Sequence, residues 1–204
     1  MRAFLAAVLA VFLFGCSVPD QDLRAVTVKV SVNGGHGTGV LVSPNLILTA
    51  GHVGEEIGRK VMVEFFDGKK VPGIVTYVSP TGEDHALIAL LHPVKIQPAT
   101  LACEIPSFTE PLTIIGFPLS AEWAVTKGKK ANDFFRRDQK ADYWMVDATI
   151  FMGNSGGPVF DSQGRVVGIV SAMPASMSFM GFLTVNLGLV VKPDVLCRSL
   201  GTYL

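Results

Sequence analysis

The chain has 204 residues, 49% of them hydrophobic and 17% charged, which suits one large folded domain or two small ones and argues against disorder. Lys plus Arg and Asp plus Glu balance at 17 each, and no basic stripe runs along the chain. A nucleic-acid partner is therefore not expected.

The chain opens on a targeting segment. Arg2 is a minimal positive start, and residues 3–14 are an unbroken apolar run too short to span a bilayer comfortably as a helix. The run ends in Leu13-Phe14-Gly15-Cys16, which resembles a bacterial lipoprotein signal. That resemblance implies a signal at 1–15, lipidation of Cys16 and a tether at 16–24. Plain secretion after cleavage and an uncleaved anchor are the alternatives. All three put the body outside the cytoplasm, in a bacterial-type cell envelope, with the membrane as a partner through the lipid. Cys103 and Cys197 then remain: an exported compartment permits a disulfide between them, and two buried thiols are the other reading.

Residues 25–32 alternate apolar and polar side chains, the pattern of a half-buried strand. Residues 38–42 and 45–50 read as two more strands, divided by the turn Ser43-Pro44. Residues 60–66 alternate again before Asp67-Gly68, a hairpin signal, and 71–79 and 86–91 complete a first set. Residues 93–110 hold three prolines and read as a linker. A second set follows at 111–117, 121–130, 143–149, 158–160, 166–173 and 179–186, with a short helix at 193–200 opened by Pro193. Two runs of short strands predict two barrels or sandwiches rather than alternating β-α units.

Gly153-Asn154-Ser155-Gly156-Gly157-Pro158 carries the strongest chemical signal. Acyl transfer by a hydroxyl needs a Ser exposed on a tight turn, with backbone N–H groups aimed at the oxyanion. Glycines on both sides permit unusual backbone angles and close approach of a substrate. A Gly-rich hairpin turn is the plainer reading. Thr49-Ala50-Gly51-His52-Val53 sets a His directly after an apolar strand, as a buried hydrogen-bonded residue or as a general base. Glu83-Asp84-His85-Ala86 offers an acid to orient that ring. Asp84 immediately precedes a strand and can project from its end, which favours it over Glu83.

Together, Thr38-Gly39-Val40, Leu48-Thr49-Ala50-Gly51-His52, Asp84-His85-Ala86-Leu87 and the Ser155 hexapeptide resemble the trypsin-like (chymotrypsin-fold) serine protease family. The chain order His, Asp, Ser separates it from other triad folds, and the likeness runs over residues 25–190. The Gly-Asn-Ser form and Val146-Asp147-Ala148-Thr149-Ile150 are closer to bacterial HtrA/Deg-like domains. Too few residues follow for the PDZ domain of HtrA proteins. The resemblance implies an all-β chain of two six-stranded antiparallel β-barrels, 25–92 with His52 and Asp84 and 111–204 with Ser155, plus a short C-terminal helix. It implies a serine endopeptidase acting on protein or peptide substrates through an acyl-enzyme. Ser155 is then the nucleophile, His52 the base and Asp84 its orienting acid, with the Gly153 and Ser155 N–H groups as the oxyanion hole. Ser171 is expected beside Asp84, its hydroxyl on the acid and its backbone beside an extended substrate strand.

By motif position, Thr149 forms the base of the pocket for the residue before the scissile bond. Ser171, Ala172, Met173 and Gly181, with Met180 and Phe182, are expected along its walls. No acid stands at the base, so small or medium apolar side chains are expected there rather than Lys or Arg. His36, His85 and His92 lack ligand spacing, so no metal and no cofactor is expected. The basic residues Lys127, Lys129, Lys130, Arg136 and Arg137 read as a solvated loop, with contact to acidic partners or phospholipid head groups as the weaker alternative. Two other functional readings stand beside the endopeptidase: a catalytically silent protease-like binding module, and an esterase using the same triad.

Overall fold

The computed structural model describes residues 19–137, 141–172, 175–178, 181–184 and 186–201. The expected signal and Cys16 lie outside the described residues. Strand alternation closes into a barrel in the first half of the chain. Its members are β1 (Thr27–Val32), β2 (Gly35–Ser43), β3 (Leu46–Thr49), β4 (Lys60–Glu64), β5 (Lys70–Val78) and β6 (Ala86–Leu90). They join in the order β1-β2-β3-β6-β5-β4, antiparallel throughout. β4 shows the cause plainly: Val61 and Val63 are buried while Lys60 and Met62 face outward, so one face supplies core and the other meets water.

The second barrel is built from β7 (Leu112–Gly116), β8 (Ala124–Arg137), β9 (Ala141–Asp147), β10 (Pro158–Phe160) and β11 (Val166–Ala172). After a separate hairpin of β12 (Ala175–Ser178) and β13 (Gly181–Thr184), β14 (Leu187–Val191) completes it. The order is β10-β11-β14-β9-β8-β7, again closed. Two closed six-stranded barrels are thus the architecture, as the resemblance predicts and as one of the two alternatives left by the strand pattern allows. The last member departs from expectation: it is residues 187–191, not 179–186. Leu189, Val190 and Val191 are all buried, so the strand lacks the alternation that marks a one-sided face.

Three smaller differences bear on the site. Residues expected as the end of the tether and the start of a strand form a short helix, α1 (Asp20–Val26), behind Pro19. Its Asp20 and Asp22 suit the positive end of the helix dipole, and Leu23 and Val26 are buried. β8 is longer than expected and carries Lys127 to Arg137 on a strand, not a loop. A single helical turn, α2 (Gly51–Gly54), follows β3. At the C-terminus α3 (Pro193–Leu200) begins on Pro193, as expected. Cys197 in α3 is bonded to Cys103 in the segment between the barrels, with Cα atoms 5.8 Å apart. Among the described residues no helix is long and apolar enough to cross a membrane.

Candidate active site

β3 and β6 are paired, with Thr49 opposite Ala86. His52 therefore leaves the end of one strand, and Asp84 approaches the same end of its neighbour. The turn of α2 bends back at once: the N–H groups of Val53 and Gly54 both donate to Ala50 O at 3.1 Å. Val53 and Gly54 are buried, which leaves the His52 side chain about half exposed (52%) on the outer side of the turn. A methyl group at Gly51 would lie 3.0 Å from Asp84 Oδ1, so the small residue lets the two segments close up.

Asp84 is held from three directions. Its Oδ1 accepts the His52 backbone N–H at 2.9 Å, and its Oδ2 lies 2.8 Å from His52 Nδ1. The Ser171 hydroxyl donates to Oδ2 at 2.6 Å. Burial alone would raise the Asp84 carboxyl; the bonds and charge of His52, with the Ser171 hydroxyl, outweigh it and hold the group below the usual carboxylate range. A carboxylate only accepts, so Nδ1 carries the proton and the neutral ring keeps its lone pair on Nε2. Glu83, the competing acid, turns elsewhere. Its carboxylate accepts from the Ser79 and Thr81 hydroxyls, which, against burial, keep it low as well.

The other half is the turn Phe151–Gly157 between β9 and β10. Gly153 has φ +99° and Gly156 φ +83°. A side chain at Gly153 would meet Phe117 O at 2.1 Å, and one at Gly156 would meet Thr38 O at the same distance. These positions require glycine both for backbone angle and for space. The carbonyls of residues 152–155 are each held. Met152 O accepts from Leu119 N–H at 2.9 Å, Gly153 O from Thr38 Oγ1 at 2.6 Å, Asn154 O from Gly157 N–H at 2.8 Å, and Ser155 O from Thr38 N–H at 2.8 Å. A trans peptide points its C=O and N–H in opposite directions. Fixing Met152 O and Asn154 O therefore also aims the N–H groups of Gly153 and Ser155. Neither donates to an acceptor among the described residues. The Ser155 hydroxyl reaches the Ser171 carbonyl at 3.4 Å, a long contact, and among the described residues no hydrogen bond joins it to the His52 ring. Ser171, 1% exposed, thus touches Asp84 through its hydroxyl and Ser155 through its carbonyl.

The remaining candidates are placed as follows. Thr149 is exposed just beyond β9, between buried Ala148 and Ile150. Ala172 is half-buried at the end of β11. Gly181 opens β13, opposite Ser178. Met173 and Met180 lie outside the described residues. No hydrogen bond among the described residues joins Thr149 or Gly181 to His52, Asp84 or Ser155. His85 is buried with Nε2 2.8 Å from Ser199 Oγ of α3, and burial pushes its pKa down against the pull of Glu83 and Asp84. His92 is exposed. Among the described residues no three His, Cys, Asp or Glu side chains cluster as a metal site. Lys127 is engaged with Asp20 at 2.7 Å and Lys130 with Asp133. Sequence reasoning missed Thr38 as a working side chain. Its only sequence signal is its place in Gly37-Thr38-Gly39, since its partner Gly153 is 115 residues away.

Residues 37–169 match the trypsin-like peptidase domain family. A DegP-like periplasmic serine endoprotease of Chlamydia pneumoniae is 33% identical over 148 residues, covering 67% of this chain and 28% of its own. The serine protease HhoA of Synechocystis is 29% identical over 163 residues, covering 72% and 39%. This chain thus spans well under half the length of these relatives. Among solved structures, the inactive form of Rv3671c from M. tuberculosis H37Rv superposes with a TM-score of 0.73 at 20% identity, covering 97% of this chain and 95% of that one. The HtrA-type protease AlgW, solved with a tripeptide, gives 0.75 at 20% identity, covering 91% and 63%. At that identity the structural likeness concerns the fold.

Proposed function

The chain belongs to the trypsin-like peptidase domain family, and from that premise we propose that it is a serine endopeptidase with Ser155 as nucleophile. The observation that carries this reading is the His52 ring held by Asp84 at 2.8 Å and linked through Ser171 to a Ser155 turn whose Gly153 and Ser155 N–H groups meet no acceptor among the described residues. His52 Nε2 takes the Ser155 proton as Oγ attacks the peptide carbonyl. The carbonyl oxygen becomes an oxyanion, received by the Gly153 and Ser155 N–H groups; one such donor contributes about 3–4 kcal/mol in comparable sites. The imidazolium, stabilised by Asp84, passes the proton to the leaving amine, and an acyl group remains on Ser155. Water, deprotonated by His52, then releases the acid and restores the hydroxyl.

An extended substrate pairs with the backbone of β11 at Ser171 and Ala172. Thr149, Met173 and Gly181 complete a neutral pocket that takes small or medium apolar side chains. The chain is exported behind a signal at 1–15 and tethered to the membrane by lipid on Cys16, with the residues between Cys16 and α1 as the link to the barrels. The Cys103–Cys197 disulfide favours an oxidising compartment, and a periplasmic relative points the same way.

A fluorophosphonate probe tests the core of the proposal. The folded protein is expected to label, and Ser155→Ala to remain unlabelled. An unlabelled native protein would leave a silent binding module. Labelling without cleavage of any member of a peptide library would leave an esterase. Mass spectrometry of detergent-extracted protein tests the anchor, and an unmodified Cys16 would remove it.

A further inference from the structure

The first barrel reaches across to the oxyanion turn with two side chains from one strand. His36 and Thr38 are two residues apart in β2, and so lie on the same face. Thr38 Oγ1 holds Gly153 O directly. His36 is half-buried, and its Nε2 lies 2.9 Å from Phe117 O. A carbonyl only accepts, so Nε2 is the donor. The peptide between Phe117 and Pro118 has no N–H, because proline supplies none. Its carbonyl is its one hydrogen-bonding group, and His36 is the partner.

What this peptide controls lies one residue further on. The Leu119 N–H fixes Met152 O at 2.9 Å, and thereby the opposite-facing N–H of Gly153. Leu119 has φ +55° and is 58% exposed. That backbone conformation is unfavourable for a residue with a side chain, and burial does little to hold it. Hydrogen bonds hold the segment instead. Phe117 N–H donates to Thr38 Oγ1 at 3.3 Å, and Ala121 N–H to Pro118 O at 2.9 Å. The Phe117 ring is anchored separately, edge-on to Trp123 at 4.6 Å, so the ring stays even when the peptide beyond it turns. His36 also covers the turn itself: a methyl group on Gly153 would meet Phe117 O at 2.1 Å and His36 Nε2 at 2.9 Å.

We propose that His36 is a positioning residue for the oxyanion turn, acting through the Phe117 carbonyl and the Leu119 N–H on the Met152–Gly153 peptide. The inference rests on the endopeptidase reading for its catalytic consequence, but not for its structural one. It predicts that removing the donor loosens the aim of the Gly153 N–H without disturbing the His52–Asp84 pair.

The test uses His36→Ala, His36→Leu, which keeps bulk without a donor, and His36→Gln, which keeps a donor. Two readouts are taken: steady-state kinetics on a cleaved peptide, and amide hydrogen exchange at Leu119. Removal of a whole donor in such a hole costs about 100- to 1,000-fold in kcat, so a misaimed one is expected to cost about 10- to 100-fold with KM nearly unchanged. Both donor-less variants should show that loss and exchange the Leu119 amide at least about tenfold faster, while His36→Gln recovers much of each. Leu119 protection equal to wild type in His36→Leu overturns the proposal, as does a loss confined to KM or an unaltered kcat. If the native protein turns over no substrate, the endopeptidase reading fails alone, and the exchange comparison still decides the role of His36.

Discussion

The two halves of the site differ in what their polar groups do at rest. On the first barrel, both Asp84 oxygens are occupied, by the backbone and ring of His52 and by the Ser171 hydroxyl. On the second barrel, the carbonyls of residues 152–155 are occupied while the Gly153 and Ser155 N–H groups meet no acceptor among the described residues. An unmade hydrogen bond costs stability unless water or ligand completes it. One half holds a ring in place, which in the proposed mechanism serves throughout the reaction. In the proposed mechanism the other holds donors ready for a charge that exists only part-way through it.

That contrast is broken most severely at Asp84. Asp84→Asn keeps the shape but reverses the demand on His52 Nδ1, and kcat should fall about 10,000-fold. Steady-state kinetics on folded protein check this, and a loss below about tenfold would show that Asp84 does not govern the ring. The second-barrel half is probed by Thr38→Val, which removes the hydroxyl on Gly153 O. A fall of about 10- to 100-fold in kcat with little change in KM is expected. An effect on KM alone would move Thr38 from aiming the turn to binding substrate.

The smallest effect sharpens the first half through pH. The folded Asp84 carboxyl lies below its unfolded value of about 3.9. Its ionisation thus contributes stability that is present above that value and lost as pH falls through the folded one. Ser171→Ala should cost about 1–2 kcal/mol near neutral pH, where the hydroxyl bonds a carboxylate. The difference from wild type should shrink as both are acidified below about pH 4. Thermal melts across that range decide it, and a gap that grows on acidification contradicts the account.

How much of this was legible depended on whether the signal was local. Val61 and Val63 against Lys60 and Met62 announce a one-sided strand in five residues. Leu187–Val191 does not, because burial on both faces erases the period, and the sequence pattern points to 179–186 instead. Asp84 could be preferred to Glu83 because it stands next to a strand end, and the structure turns Glu83 toward Ser79 and Thr81. The helpers of the turn left no such trace. Thr38 meets Gly153 across 115 residues and His36 meets Phe117 across 81. Leu119 acts through its backbone N–H alone, which side-chain chemistry does not encode. Residues that act on the backbone of a distant loop become visible only when the two barrels are set side by side.

The disulfide has a consequence of a different kind. Cys103 precedes the second barrel and Cys197 follows it, 94 residues on. Every strand from Leu112 to Val191 lies inside the covalent ring they close. A single cut anywhere in that span, for example between β8 and β9, opens the ring without dividing the molecule. Both barrels stay on one piece of matter. On the proposed endopeptidase reading, a chain exposed to cuts by its own copies is thereby furnished against them: a nick in the half that carries Ser155 is a scar and not an amputation.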